Sequence, residues 1–206
     1  MRRNRGAMKG AANSSVEDRR RLVASRTLAL FARLGFDKVS FSDISKATGV
    51  PRTALYRCFR TKRDIFDAAI GGVLAELRER INGMLAEKSP ADEKLARICD
   101  FVVDVLFAQR DFLGAIFNFV LSVVMVGEDM SERVEGFTGG LKRAFRRLVS
   151  EGVSAGKFRK SVNPEVNAEM FFALMESVAF NILLNLEKDS RRAKRRFREA
   201  VKAISA

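Results

Sequence analysis

Residues 35–66 read GFDKVSFSDISKATGVPRTALYRCFRTKRDIF, and the spacing of their apolar side chains decides the fold. Phe41, Ile44 and Ala47 put one apolar face on a short helix that stops at Gly49. Val50 and Pro51 follow, and Leu55 and Phe59 give a second short helix its own apolar face. Glycine at the corner suits the left-handed backbone that a tight turn between helices often needs. Upstream, Val23, Thr27, Leu30, Phe31 and Leu34 recur at the spacing of one side of a supporting helix. The pattern is that of a helix-turn-helix, whose second helix presses into a major groove while the first braces on the backbone. Arg52, Thr53, Tyr56 and Arg57 fall on the outer face of that second helix.

Outward from this stretch the chain reads as helix throughout. Pro51, Pro90 and Pro164 are the three prolines, and each can open a helix, where the missing N–H has no intrahelical partner to lose. Ser15…Asp18, Ser40…Asp43, Thr61…Asp64 and Ser89-Pro90-Ala91-Asp92 read as capping boxes, and Asn163-Pro164-Glu165 as an Asn cap. No sustained alternating pattern interrupts them. The expected helices are 16–34, 41–48, 52–59, 62–87, 91–109, 112–126, 129–155, 165–187 and 191–204. The fold class is therefore all-α: a disordered basic arm over 1–14, a three-helix DNA-binding domain over 15–62, and a helical domain over 63–206, about nine helices in all.

Charge is segregated along the chain. Residues 1–63 hold 16 basic and 4 acidic side chains, a net of +12, while residues 64–187 carry a net of −5 and residues 188–206 a net of +6. A basic head on a mildly acidic body points to a polyanion docking at one end. There is no His, and Cys58 and Cys99 are the only cysteines, which excludes a disulfide framework and leaves no metal set and no cofactor motif. No nucleophile–base pair or phosphate loop is present, so no enzyme is expected. The uncharged run between Asp111 and Glu128 is 16 residues long, short of the roughly 20 that a membrane span needs, and reads as a buried helix of a cytoplasmic protein.

The combination Leu30-Phe31-x-x-x-Gly35-Phe36, Asp43-Ile44, Gly49-Val50, Leu55-Tyr56-x-x-Phe59 and Thr61-Lys62 resembles the DNA-binding domain of the tetracycline-repressor (TetR) family over about residues 22–66. Beyond it, the resemblance rests on length, helix count and Asn163-Pro164-Glu165. Cys58, Arg63, Thr27 and Ser45 depart from the usual pattern without removing a DNA-facing element. By position the resemblance implies that Arg52 and Thr53 read base edges, that Tyr56 and Lys62 hold phosphates, and that the helix opening at Ser40 offers its amino end to another phosphate. Arg57 could take either role. Arg2, Arg3, Arg5 and Lys9 could enter a minor groove or act as a tail of non-specific attraction.

The resemblance also implies a cavity for a small-molecule effector in the helical body and dimerisation through the last two helices. Phe101, Val105, Phe117, Val120, Phe137, Leu141 and Met175 are the expected cavity lining, and their character makes the effector lipophilic. Aromatic and Met stripes at helical spacing are ordinarily core, and that reading stands beside the cavity. The penultimate helix is apolar on most sides, so a second subunit would cover what its own body does not. Phe171, Leu174, Val178 and Ile182, with Phe197 and Val201 on the last helix, are the expected homodimer seam. The arginines of the last helix read as a solvated face.

The leading functional expectation is a ligand-responsive regulator, a repressor that binds palindromic double-stranded DNA as a homodimer. A DNA-binding regulator with no inducer is the alternative. A third class, a basic amphipathic protein on an anionic membrane surface, would use the last helix, and no membrane partner is expected on the leading reading.

Overall fold

The computed structural model describes the backbone of residues 4–125 and 131–206, and side chains from residue 16 onward except those of residues 126–131, 133, 134 and 137. Among the described residues there are nine helices: α1 (Asn4–Leu34), α2 (Phe41–Thr48), α3 (Arg52–Cys58), α4 (Lys62–Ala86), α5 (Ala91–Ala108), α6 (Arg110–Val124), α7 (Ser131–Ser154), α8 (Pro164–Leu183) and α9 (Ser190–Ile204). One isolated antiparallel bridge joins Phe158 to Ser205.

Local chemistry explains most of the boundaries. Ser40 caps α2 in a reciprocal box, its hydroxyl accepting from the Asp43 amide while the Asp43 side chain accepts from the Ser40 amide. Gly49 ends α2 at φ 74, the left-handed conformation that glycine adopts without steric cost. Thr61 and Asp64 form the same box at the start of α4, and Asn163 caps α8 by accepting from the amides of Glu165 and Val166.

Three expectations are corrected. Helix α1 opens at Asn4 rather than at residue 16, ahead of the Ser15…Asp18 box; Arg5, Ala7, Met8, Lys9, Ala11 and Ala12 are helix formers that offset Gly6 and Gly10. The side chains of the expected arm, Arg2, Arg3, Arg5 and Lys9, lie outside the described residues. At α5 the cap is Pro90, and the Ser89 hydroxyl makes no hydrogen bond, so the box read there does not form. Helix α8 ends at Leu183 because Asn185 takes a left-handed conformation at φ 59, turning the amides of Leu186 and Glu187 back onto the Asn181 carbonyl. Leu184 and Leu186 extend the apolar pattern past that stop, which is why the sequence alone reads the helix as longer.

The chain divides into two compact units, one running through Ala75 and taking in α6 from Gly114 onward, the other made of the remainder. The boundary drawn from sequence at residues 62 and 63 therefore moves into α4. Ile65, Phe66, Ala69 and Ile70 are buried and complete the core of the amino-terminal unit. Val23, Phe31, Ile44, Leu55 and Phe59 form the rest of that core, with Phe119 of α6. Ala47 is exposed, and Thr48 takes the buried position beside Ile44 instead. Thr27 is fully buried, its hydroxyl donating to the carbonyls of Val23 and Ala24, so its polar atom is satisfied.

Four rings organise the amino-terminal unit. Phe66 lies 5.3 Å from Phe31, 5.4 Å from Phe36 and 4.4 Å from Phe119, and Phe36 lies 5.0 Å from Phe119. The contacts are edge-on or offset, arrangements that the aromatic quadrupole favours by about 0.5–1.5 kcal/mol per pair beyond area burial. Asn118, one residue before Phe119, donates from its side-chain amide to the Ala32 carbonyl at 2.9 Å. The second half of α6 is thus built into the amino-terminal unit by packing and by a hydrogen bond.

The other unit packs α5, α7, α8 and α9 around Leu95, Ile98, Cys99, Val103, Phe145, Leu148, Phe171, Val178, Ile182 and Phe197, all buried. Helix α9 is held to α5 by two ion pairs, Lys194 to Asp104 at 2.6 Å and Arg198 to Asp100 at 2.5 Å, and Arg196 pairs with the buried Glu187. Asp100 and Asp104 therefore serve the seating of α9. A Cβ at Gly152 would overlap the buried ring of Phe158, which makes this glycine a packing requirement of the α7 end.

Phe119→Ala is expected to cost about 3–5 kcal/mol of stability in the amino-terminal unit, the range for emptying a buried aromatic site. Urea denaturation checks this, and a loss below about 1 kcal/mol would show that the four-ring cluster does not hold α6 in place.

Candidate nucleic-acid interface

Helix α3 is only seven residues long, and its two faces are cleanly divided. Leu55 and Cys58 are buried, while Arg52, Thr53, Tyr56 and Arg57 are all exposed. The sequence placed these four side chains together on one outward face, and the structure does the same. Pro51 stands at the N-cap of α3 with extended backbone, and Ser45 steadies the turn by donating to the Val50 carbonyl at 2.8 Å. The serine that departs from the usual family pattern thus has a use in the corner itself.

Tyr56 is half exposed, and its ring stacks on Phe41 at 4.4 Å with an interplanar angle of 15°. Phe41 is the first residue of α2, so the stack ties the two helices at their outer surface and aims the phenol away from the core. A Tyr so placed presents a rigid ring and one hydroxyl, suited to a phosphate oxygen.

Lys62 and Ser40 are more engaged than the sequence suggests. The Lys62 ammonium donates to the Asp37 carbonyl at 2.9 Å and sits 4.6 Å above the Phe36 ring. Burial there lowers its pKa below the ordinary lysine value, against the pull of Asp37. An ammonium has three donors, so one held by a carbonyl still leaves capacity for a phosphate. The Ser40 hydroxyl donates to Asp43 Oδ2 at 2.5 Å within the capping box. That hydrogen bond holds the Asp43 carboxyl below its ordinary range, so an anion already occupies the amino end of α2. A phosphate approaching there meets a carboxylate as well as the helix dipole.

Two arginines of α1 that sequence reading left unassigned also belong to this unit. Arg20 donates to the Cys58 carbonyl and lies 4.5 Å above the Phe59 ring, and Arg26 donates to the Thr48 carbonyl at 3.2 Å. Their partners are backbone oxygens, which leave no mark in the sequence.

The expected lining and seam residues fall differently. Phe117 and Val120 are half-buried in the amino-terminal unit, whereas Phe101, Val105, Leu141 and Met175 belong to the other unit, all half-buried except Met175, which is buried. The Phe137 side chain lies outside the described residues. On the seam, Phe171, Val178, Ile182, Phe197 and Val201 are buried inside the chain's own core, and Leu174 is half-buried. The five buried ones are core of their own unit. The open apolar face of α8 is the opposite one, where Val166, Met170, Phe180 and Leu184 are all about half exposed or more. Both arcs of α8 are apolar, and sequence could not say which one its own body would cover.

With this geometry in view, the comparisons with known proteins agree. Residues 24–69 match the sequence pattern of the bacterial regulatory proteins, tetR family. The fatty acid metabolism regulator protein of Bacillus subtilis is 20% identical over 166 residues, covering 81% of this chain and 84% of its own length. The crystal structure of the regulator FadR from Bacillus subtilis in complex with stearoyl-CoA superimposes with a TM-score of 0.72 at 17% identity, covering 87% of this chain and 96% of that one. The ketosteroid transcriptional regulator KstR2 of Mycobacterium tuberculosis does so with a TM-score of 0.71 at 14% identity, covering 91% and 95%. These structures share the fold, and the sequence match identifies residues 24–69 as a DNA-binding domain of the tetR-family type.

Tyr56 is the only tyrosine and there is no tryptophan, so its fluorescence reports on this face alone. Phe41→Leu is expected to speed the decay of Tyr56 anisotropy while leaving helical content unchanged. Identical decays in the two proteins would show that the stack does not restrain the phenol.

Proposed function

We propose that this chain is a TetR-family repressor that binds a palindromic operator as a homodimer in the cytoplasm and is released by a small lipophilic effector. The observation that carries the DNA-binding part is the open face of α3, where Arg52, Thr53, Tyr56 and Arg57 stand together on a unit rich in positive charge. Arg52, at the first helical position, is suited to pairing with the two acceptors of a guanine edge, and Thr53 to either a base or a methyl group. Tyr56, Arg57 and Lys62 flank them as phosphate partners, and Ser40 lies at the amino end of the bracing helix.

The homodimer is supported by the open face of α8. Val166, Met170, Phe180 and Leu184 line one side of a helix whose other side is core, and a second copy supplies matching apolar cover under two-fold symmetry. A dimer presents two copies of α3, and operator symmetry follows from that arrangement.

Two similar structures support an effector that is largely apolar: one is of a regulator bound to stearoyl-CoA, and the other is of a ketosteroid regulator. In this chain Phe101, Val105, Leu141 and Met175 are the proposed contacts within the second unit. Helices α4 and α6 each contribute residues to both units, so a displacement of either alters the setting of the DNA-binding core. Release requires only that the effector bind the DNA-free conformation better than the DNA-bound one.

Selection from a random DNA pool should yield a palindrome. On that site Arg52→Ala should cost about 1–3 kcal/mol, while Lys62→Ala should weaken binding to all sequences alike and flatten the salt dependence by about one unit. Equal losses on the selected and random DNA for Arg52→Ala would remove its base-reading role.

Placing charges on the open face, Met170→Glu with Phe180→Glu, should convert a dimer to a monomer in light scattering without loss of helical content. The unaltered protein running as a monomer at micromolar concentration would overturn the homodimer.

A further inference from the structure

The recognition helix has two turns and a small buried face, so something besides Leu55 and Cys58 must fix its tilt. The C-cap Phe59 returns its amide to the Leu55 carbonyl, yet a helix end leaves four carbonyls without intrahelical partners. Arg20 reaches one of them. Its guanidinium donates to the carbonyl of Cys58, the last residue of α3, and its carbon lies over Phe59, 4.5 Å from the ring centroid. A cation at a helix carboxyl end is also favoured by the dipole. One and a half turns further along α1, Arg26 does the same for α2, donating to the carbonyl of its last residue, Thr48.

We propose that Arg20 is a positioning residue for DNA recognition, clamping the carboxyl end of α3 to α1 so that Arg52 and Thr53 meet the base edges at a fixed tilt, with Arg26 holding α2 in the same way. The inference rests on α3 being the DNA-reading helix. It differs from a phosphate contact in kind: the Arg20 guanidinium holds the Cys58 carbonyl beside the Phe59 ring, and its influence on the bases runs through the helix. Asp64, whose carboxyl is held below its ordinary range first by Thr61 and in part by Arg20, is the acid on the same side of the clamp. The guanidinium presents its donors in a fixed fork, so the hydrogen bond to the carbonyl orients the whole group, whereas a lysine ammonium is a freely rotating point charge.

The test compares the full-length protein with Arg20→Gln, Arg20→Lys and Arg26→Gln on the selected palindrome and on random DNA across a series of salt concentrations, with active protein counted by titration. Arg20→Gln should lower affinity for the palindrome about tenfold, the scale of one hydrogen bond to a charged group, with random-DNA affinity and the salt slope unchanged. Arg20→Lys should stay defective, and Arg26→Gln should shift the same ratio in the same direction. A variant that is merely less stable loses both kinds of binding in proportion, leaving the specificity ratio where it was, and that result overturns the inference. So does a slope reduced by about 0.9, which marks a direct phosphate contact. Full recovery with Arg20→Lys also overturns it, since charge alone then suffices. If the unaltered protein selects no sequence at all, the assignment of α3 fails instead, and the two failures are distinguishable.

Discussion

The DNA-binding unit depends on the packing of four phenylalanines drawn from three helices and a turn. Phe31 comes from α1, Phe36 from the turn after it, Phe66 from α4 and Phe119 from α6. Helices α1 to α3 bury little apolar surface by themselves, and small domains are marginal for that reason. Taking in Phe66 and Phe119 enlarges the core, and the larger core then fixes where α2 and α3 can lie. The outward face of α3 is what remains when Leu55 and Cys58 have been committed to that core.

Much of this was legible in the sequence because the signals are local. Ser40 with Asp43, Thr61 with Asp64, and Asn163 with Pro164 mark helix starts through side chains that bond amides three residues away or fewer. The face of α3 was legible for a similar reason, since two buried positions in seven leave little choice for the rest. What failed to read was whatever depends on partners distant in the chain. Ser89 carries the residue pattern of a cap but makes no bond, and Arg20 sits within the run Arg19-Arg20-Arg21, which reads as generic charge until the Cys58 carbonyl is beside it.

Helix α8 shows the same limit from the apolar side. Its length and mean hydropathy are enough to cross a membrane, yet one arc, from Ala168 and Phe171 to Ile182, is core of its own unit. A periodic pattern identifies a stripe but carries no information about who covers it. Charge placement on α9 was easier to misjudge still. Lys194, Arg196 and Arg198 look like members of one solvated cluster, but each is paired with an acid elsewhere in the unit, and Arg191 pairs with Asp189 at the start of its own helix.

The two cysteines fall one to each compact unit. Cys58 closes α3 and Cys99 lies in the middle of α5, both buried, and burial pushes the Cys99 thiol far above its ordinary pKa. A thiol reagent in solution therefore meets neither sulfur until the backbone around it opens, since the thiolate is the reacting form. Each half of the molecule thus carries its own chemical clock. The rate at which Cys58 is alkylated measures how often the DNA-reading half opens, and the rate at Cys99 measures the other half, in one sample and without introducing a label. A ligand or an operator that steadies one half and not the other would slow one clock alone.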